Sequence, residues 1–146
     1  MPGNAVISNP LGAFGTTDVV QKFGPLTMPF EATADIPART AVTIGTTGKI
    51  TKATTGAAAA GTTIGVTVDA IGSGKVGRVV VLGPVDNVPA DGSIAAGSPV
   101  IASTTTAGSV IAKAAPTTGE GLGFAIAAAS GGLVTIWVNR SIGGIT

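Results

Sequence analysis

The chain contains no cysteine, no histidine and no tyrosine, and it is poor in charge. Without thiols no disulfide framework is available, so packing alone must hold the fold. Without imidazole or thiol, the commonest general base, the commonest metal ligand and the strongest nucleophile are all missing. Charged residues make up 10% of the 146 residues, against about 25% in an ordinary soluble domain. The net charge is +1, and Lys and Arg stand singly along the chain, whereas a nucleic-acid groove needs them clustered. Long apolar runs are absent too. The best, Leu133 to Val138 with a Thr inside it, falls far short of the roughly 18 residues of a membrane span, and the first residues lack the cationic start of a secretory signal. Neither a nucleic-acid nor a membrane partner is expected.

Aromatics amount to 3%, so the 45% of hydrophobic residues is mostly Ala, Val and Ile. The mean hydropathy of +0.56 is high for a soluble monomer, and a chain of this composition is expected to hide surface against other subunits. Twenty-three glycines and nine prolines are spread along the whole length. In a helix interior each Gly costs about 1 kcal/mol and each Pro about 3 relative to Ala, so the spread argues for short strands joined by turns.

The chain divides into an arm and a body. Residues 1–30 hold four prolines (Pro2, Pro10, Pro25, Pro29) and three of the four phenylalanines (Phe14, Phe23, Phe30), and are expected to form an extended N-terminal arm. Two readings are open: a terminus that is loose or wrapped on its own domain, or an arm lying on a neighbour. Residues 31–146 form the expected β-rich domain. Ile64, Val66 and Val68 alternate with polar or small residues, as do Val42 with Ile44 and Leu122 with Phe124 and Ile126, predicting half-buried antiparallel strands. Arg78–Leu82 is apolar on both faces and suits a central strand. In Leu133–Val138, residues Val134, Ile136 and Val138 are expected to point inward. Turns are predicted at Gly45–Gly48, Gly72–Gly74, Asp91–Gly92 and Gly131–Gly132. Thr55–Gly61 is a weak helix candidate.

An approximate repeat runs through the body. Ile36–Val42 is similar to Ile94–Val100, Ile64-Gly65-Val66 to Leu122-Gly123-Phe124, and Gly77–Val81 to Gly132–Ile136, at an offset of about 55 to 60 residues. Two similar β units are therefore expected to pack face to face or to close into a barrel. The predicted fold class is all-β, a small β-sandwich or barrel-like body.

No arrangement of residues suited to catalysis or ligand chemistry stands out. No two carboxylates are spaced as a glycosidase pair or a calcium loop; Asp86–Gly92 reads as two turns. Gly72-Ser73-Gly74-Lys75-Val76-Gly77 matches G-x-G-x-x-G, but a strand follows where the dinucleotide motif needs a helix N-terminus. It also fails as a phosphate-binding loop, because Val76 stands where Ser or Thr must meet magnesium. Asn139-Arg140-Ser141 fits a glycosylation acceptor with no secretion signal to support it. Several serines and five lysines are present, yet nothing places one beside another. No cofactor, metal or catalytic residue is expected. Trp137, the only tryptophan, is read either as a core or sheet-packing residue or as an interface anchor, a role in which Trp is enriched.

The order of these fragments resembles the phage capsid cement, or head decoration, family over roughly residues 30–140. The segments that carry the likeness are Ile36-Pro37-Ala38-Arg39-Thr40-Ala41-Val42, Gly48-Lys49-Ile50-Thr51-Lys52-Ala53, Ile64-Gly65-Val66-Thr67-Val68-Asp69-Ala70 and Arg78-Val79-Val80-Val81-Leu82-Gly83. Ile94–Val100 and Gly121–Ala125 echo them. Arg39 departs from the family's usual Gly, and the arm matches nothing in it. The resemblance implies a β-sandwich or barrel-like body, trimers or similar clusters on a shell, and no catalysis.

The expected role is a structural virion protein on the outer capsid surface that stabilises the mature shell. Its expected partners are the major capsid protein and further copies of itself, a trimer being favoured. Leu11, Phe14, Phe23, Phe30 and Trp137 are the candidate contacts to capsid or subunit. The alternatives are a head-fibre base, a tail component, a surface-layer module or, with few aromatics to stack sugars, a carbohydrate-binding module.

Overall fold

The computed structural model describes residues 24–53, 63–116 and 120–139. Among these, every regular element is a strand: β1 (Leu26–Glu31), β2 (Ala41–Ile44), β3 (Ile50–Lys52), β4 (Thr63–Thr67), β5 (Val76–Pro89), β6 (Pro99–Ala102), β7 (Val110–Ala112), β8 (Gly123–Ala125) and β9 (Leu133–Asn139). They form one antiparallel sheet in the order β3-β2-β4-β5-β9-β8-β6-β7, with β1 paired to β5 beside this path. β1 begins at Leu26, so the end of the proline-rich segment lies in the sheet. Leu11, Phe14, Phe23 and the helix candidate at 55–61 fall outside the described residues.

The strand order reads the same from both ends, and this is the expected repeat made visible. In the first half β2 pairs with β3 and β4, and β4 with β5; in the second, β6 pairs with β7 and β8, and β8 with β9. The registers correspond as well. Ala41 faces Val66 and Val66 faces Val80, as Pro99 faces Phe124 and Phe124 faces Trp137. The Arg39 amide donates to the Thr67 carbonyl and the Gly97 amide to that of Ala125, at 3.0 and 2.7 Å. Both lead residues have positive φ, 58° at Arg39 and 81° at Gly97, so Arg39 occupies a glycine's conformation.

β5 joins the halves. Its first part, Val76–Leu82, pairs with β1, and its second, Leu82–Pro89, pairs with β9. Thus the last strand of one unit runs into the first strand of the next. Each half then curls until its ends meet, through a parallel bridge of Ala32 with Ile50 in the first and of Ala90 with Val110 in the second. The body is all-β and barrel-like, as expected.

Apolar side chains fill each curl. Ala32, Ile36, Val42, Ile50, Ile71 and Val79 form one buried cluster. Their counterparts Ile94, Val100, Val110 and Ile136 lie in a second cluster with Ala90 and Ala129 packed against it. Val79 and Val80 are both buried but belong to different clusters, which is the two-faced burial foreseen for Arg78–Leu82. Val134, Ile136 and Val138 point inward, as expected.

Three sequence readings are corrected. Ile64, Val66 and Val68 do not share one face. Thr43 faces Thr63 while Val42 faces Gly65, leaving Ile64 as an extra residue. This β-bulge turns Ile64 toward one cluster and Val66 toward the other. β4 is accordingly covered on both sides, and the buried Thr67 hydroxyl donates to the Pro37 carbonyl at 2.8 Å and accepts from the Thr40 amide at 3.0 Å. Second, Leu122 and Ala125 are buried while Phe124 and Ile126 are exposed. Leu122, just before β8, corresponds to Ile64 in the first half, and its side chain does not share a face with that of Phe124. Third, Asp86-Asn87 is not a turn but an irregularity within β5, where the register to β9 slips between Val85 and Val88 and Asn87 takes φ 55°.

The glycine motif at 72–77 is a turn leading into β5, closed by the Lys75 amide on the Gly72 carbonyl at 2.9 Å. Two other glycines are needed for closeness. A Cβ on Gly65 would lie 2.0 Å from the Val80 carbonyl oxygen, and one on Gly123 would lie 1.9 Å from that of Trp137. They are equivalent positions in the two halves.

Candidate interaction surface

The distinctive chemistry of the described surface is apolar. On β9 the alternation that sends Val134, Ile136 and Val138 inward sends Leu133, Trp137 and Asn139 outward. Trp137 keeps 37% of its surface exposed, so of its two readings the core position does not hold. On β8, Phe124 stands directly across from it and is 43% exposed. Pro84 of β5 faces Trp137 on the other side, and Pro99 of β6 faces Phe124. One row thus crosses four strands: Pro84, Trp137, Phe124, Pro99. Proline carries no amide hydrogen, so the two ends of this row offer no donor, and its contacts must be made by side-chain faces.

The row continues over β5 and β1. Leu82 lies across from both Asn139 and Leu26, and Leu26, Met28 and Leu82 are all exposed. Phe30, the remaining described candidate, is half-buried and packs against the first cluster. Of the contact residues read from the sequence, the structure therefore presents Trp137 outward and puts Phe30 largely to structural use. Phe124, Leu82 and Pro84 were not singled out. The available signal was the repeat, which sets Phe124 and Trp137 where the first half has valines.

Polar features elsewhere serve the fold. Arg39 of the first half pairs with Asp86 at 3.2 Å and donates to the Val68 carbonyl at 3.2 Å. Arg78 with Asp69 at 2.9 Å and Lys49 with Glu31 at 2.7 Å are surface pairs, each worth about 0 to 1 kcal/mol. Asp91 is the organising group of the β6–β7 loop. Its carboxylate accepts from the hydroxyls of Ser103 and Thr105, while the Ser103 oxygen accepts from the amides of Thr105 and Thr106 at 3.0 and 2.9 Å. The Ser103 hydroxyl first, then that of Thr105, holds the Asp91 carboxyl below its ordinary range. The loop so fixed reaches the first half: the Ala41 amide donates to the Gly108 carbonyl at 2.8 Å, and the Gly108 amide to the Ala53 carbonyl at 2.9 Å. A shallow cleft lined by Asn87, Ala128, Ser130, Leu133, Val134 and Thr135 contains no titratable side chain. Among the described residues no three carboxylates gather where they could hold a metal ion.

No protein-family model matches the sequence, and no curated protein does. Solved structures do match in shape. One is the head fiber gp8.5 N base of bacteriophage phi29, with a TM-score of 0.53 and 20% identity, covering 80% of this chain and 96% of that one. The fold is similar to that of a phage head-fiber base. At that identity the likeness concerns the fold.

Proposed function

We propose that this chain is a structural protein of a phage virion, seated on the outer surface of the head as a decoration or fibre-base module. The observation that carries the reading is the fold match, which extends over nearly the whole of a head-fiber base. Three features of the chain support it: a sequence with neither imidazole nor thiol, the serial resemblance to head decoration proteins, and a broad apolar sheet face with no layer over it among the described residues.

The mechanism is adhesion. A protein that binds only the assembled shell stabilises it by mass action, and one that touches two or more subunits gains from avidity. With only 10% charged residues, such contacts rest on shape and apolar area rather than on ion pairs. Within this reading, a fibre base is favoured by the structural match, while a cement that strengthens the shell is favoured by the sequence resemblance. Mass spectrometry of purified tail-free heads, before and after protease treatment of the intact particles, tests the placement. The chain is expected in those heads and accessible to the protease. Its absence from heads, or its protection until they are opened, would overturn the proposal.

A further inference from the structure

Where the two halves diverge, the second gains a set of groups that its own packing does not use. Beside β5, the first half runs from Met28 to Glu31 without a slip and reaches its closing bridge at Ala32. The equivalent stretch of the second half, from Val85 to the bridge at Ala90, carries one more residue, and β5 bulges at Asp86-Asn87 opposite Thr135. A bulge re-aims side chains and often adjoins a site. This one borders the cleft of about 220 Å³ to which Asn87, Ser130, Leu133 and Thr135 contribute. Beside it, in the places that Val80 and Val66 hold in the first half, stand the exposed Trp137 and Phe124.

Cleft and rings lie on one surface. Thr135 and Trp137 are two residues apart on the outer side of β9, about 7 Å along the strand. The hydroxyls of Ser130 and Thr135 and the Asn87 side-chain carbonyl have no hydrogen-bond partner among the described residues. The Asn87 amide reaches only the neighbouring Asp86 carboxylate, at 3.4 Å, and Asp86 itself is paired with Arg39 at 3.2 Å. The surface thus offers neutral hydrogen-bonding groups and flat ring faces, with no cation lining the cleft.

That combination suits a molecule that is neutral, rich in hydroxyls and apolar on one face. We infer that the cleft and the Trp137–Phe124 platform bind a neutral saccharide chain. One ring sits in the cleft against Asn87, Ser130 and Thr135, and the next lies with its C–H face on Trp137, where apolar area is buried and the negative ring face attracts the C–H groups. The volume agrees: it is below the roughly 300 Å³ at which pockets engulf a drug-sized ligand, so one ring enters while the rest of the chain lies along the sheet. An extended peptide is a poorer match. It brings a donor and an acceptor at nearly every residue, whereas the main chain of β9 is already bonded to β5 and β8. The site belongs to the module by itself and does not depend on the virion reading; either can fail without the other.

Trp137 is the only tryptophan, so its emission reports directly on the contact. The full chain is applied to an array of neutral and anionic glycans and, in parallel, to a displayed peptide library; each neutral glycan that binds is then titrated in solution. The expected result is at least one neutral glycan with a Kd near or below about 1 mM that shifts the Trp137 emission. Trp137→Ala should weaken binding about ten-fold or more, as loss of a central aromatic does. Thr135→Val keeps the branched shape and Asn87→Gly suits the backbone at φ 55°, so each removes a hydrogen-bonding group alone and should weaken binding about three- to ten-fold. Val76→Thr, at an exposed site facing Glu31, should leave it unchanged. Circular dichroism and thermal melting confirm that the variants fold. An array with no neutral glycan bound overturns the inference, as does binding indifferent to Trp137→Ala and Thr135→Val. Peptide ligands that shift the Trp137 emission while no glycan does would make this a peptide site and overturn it equally.

Discussion

Replacing Gly65 by alanine adds one methyl group to a strand, which would ordinarily be a minor change. Here the new Cβ would lie 2.0 Å from the Val80 carbonyl oxygen, 2.9 Å from a Val79 methyl and 3.0 Å from the Val80 carbonyl carbon. Ordinary contact between such atoms is about 3.5 Å, so β4 and β5 must move apart by more than 1 Å, roughly a quarter of their spacing of about 4.8 Å. Separation of that size breaks about two ladder hydrogen bonds, worth near 1 kcal/mol each, and adds an overpacking cost of about 1 to 3 kcal/mol. The expected loss is about 3 to 5 kcal/mol, a large part of the 5 to 15 kcal/mol that holds a typical domain together. For a chain of this size it lowers Tm by roughly 10 to 15 °C. Gly123→Ala should behave alike, because its Cβ would meet the Trp137 carbonyl oxygen at 1.9 Å. Gly121→Ala, with nothing within 4 Å, should change stability by no more than about 0.5 kcal/mol. Urea denaturation and calorimetry at neutral pH measure all three. If Gly65→Ala and Gly123→Ala each cost less than about 1 kcal/mol, the strands are not in close approach and the paired role of these glycines is refuted.

Other outcomes follow from the same structure. Asp91 has its carboxyl lowered by the hydroxyls of Ser103 and Thr105. A depressed folded-state pKa stabilises the fold above the unfolded value, and that contribution disappears as pH falls below about 4 and through the folded value. Asp91→Asn should be less stable at neutral pH and should flatten this part of the acid unfolding curve. Arg39 holds φ 58° where the second half has Gly97, so Arg39→Ala loses the Asp86 pair and keeps the strain. Arg39→Gly loses the pair but relieves the strain, and should melt higher than Arg39→Ala by about 1 kcal/mol of stability. Ile136→Ala empties a fully buried site in the second cluster and should cost about 2 to 5 kcal/mol in denaturant titration. If the chain cements the shell, heads lacking it should rupture at lower temperature in a light-scattering melt, and added protein should restore them.

The strands that carry strong alternation or runs of β-branched residues were legible in the sequence. Val134, Ile136 and Val138 pointed inward as read, Arg78–Leu82 is central, and the similarity of Ile36–Val42 to Ile94–Val100 announced two units with one topology. What could not be read was where alternation breaks. Ile64-Gly65-Val66 looks like an unbroken strand, because a bulge leaves no mark in hydrophobicity; only its Gly, pressed against a carbonyl, hints at it. Asp86-Asn87 looked like a turn because turn residues also suit an irregularity within a long strand. The surface was half legible. Alternation placed Trp137 opposite the inward valines, but no single strand reveals whether another layer covers its face. Phe124 was hidden by its apparent alternation with Leu122, which suggested a core residue where the strand in fact faces outward.

One imaging measurement shows where this protein sits. Mature heads prepared without the chain are incubated with the purified protein and compared with untreated heads by cryo-electron microscopy. New density is expected at repeated positions on the outside of the shell, shaped to hold the two-unit β body. Bare shells at micromolar protein, in the presence of folded and active-concentration-verified chain, would contradict it.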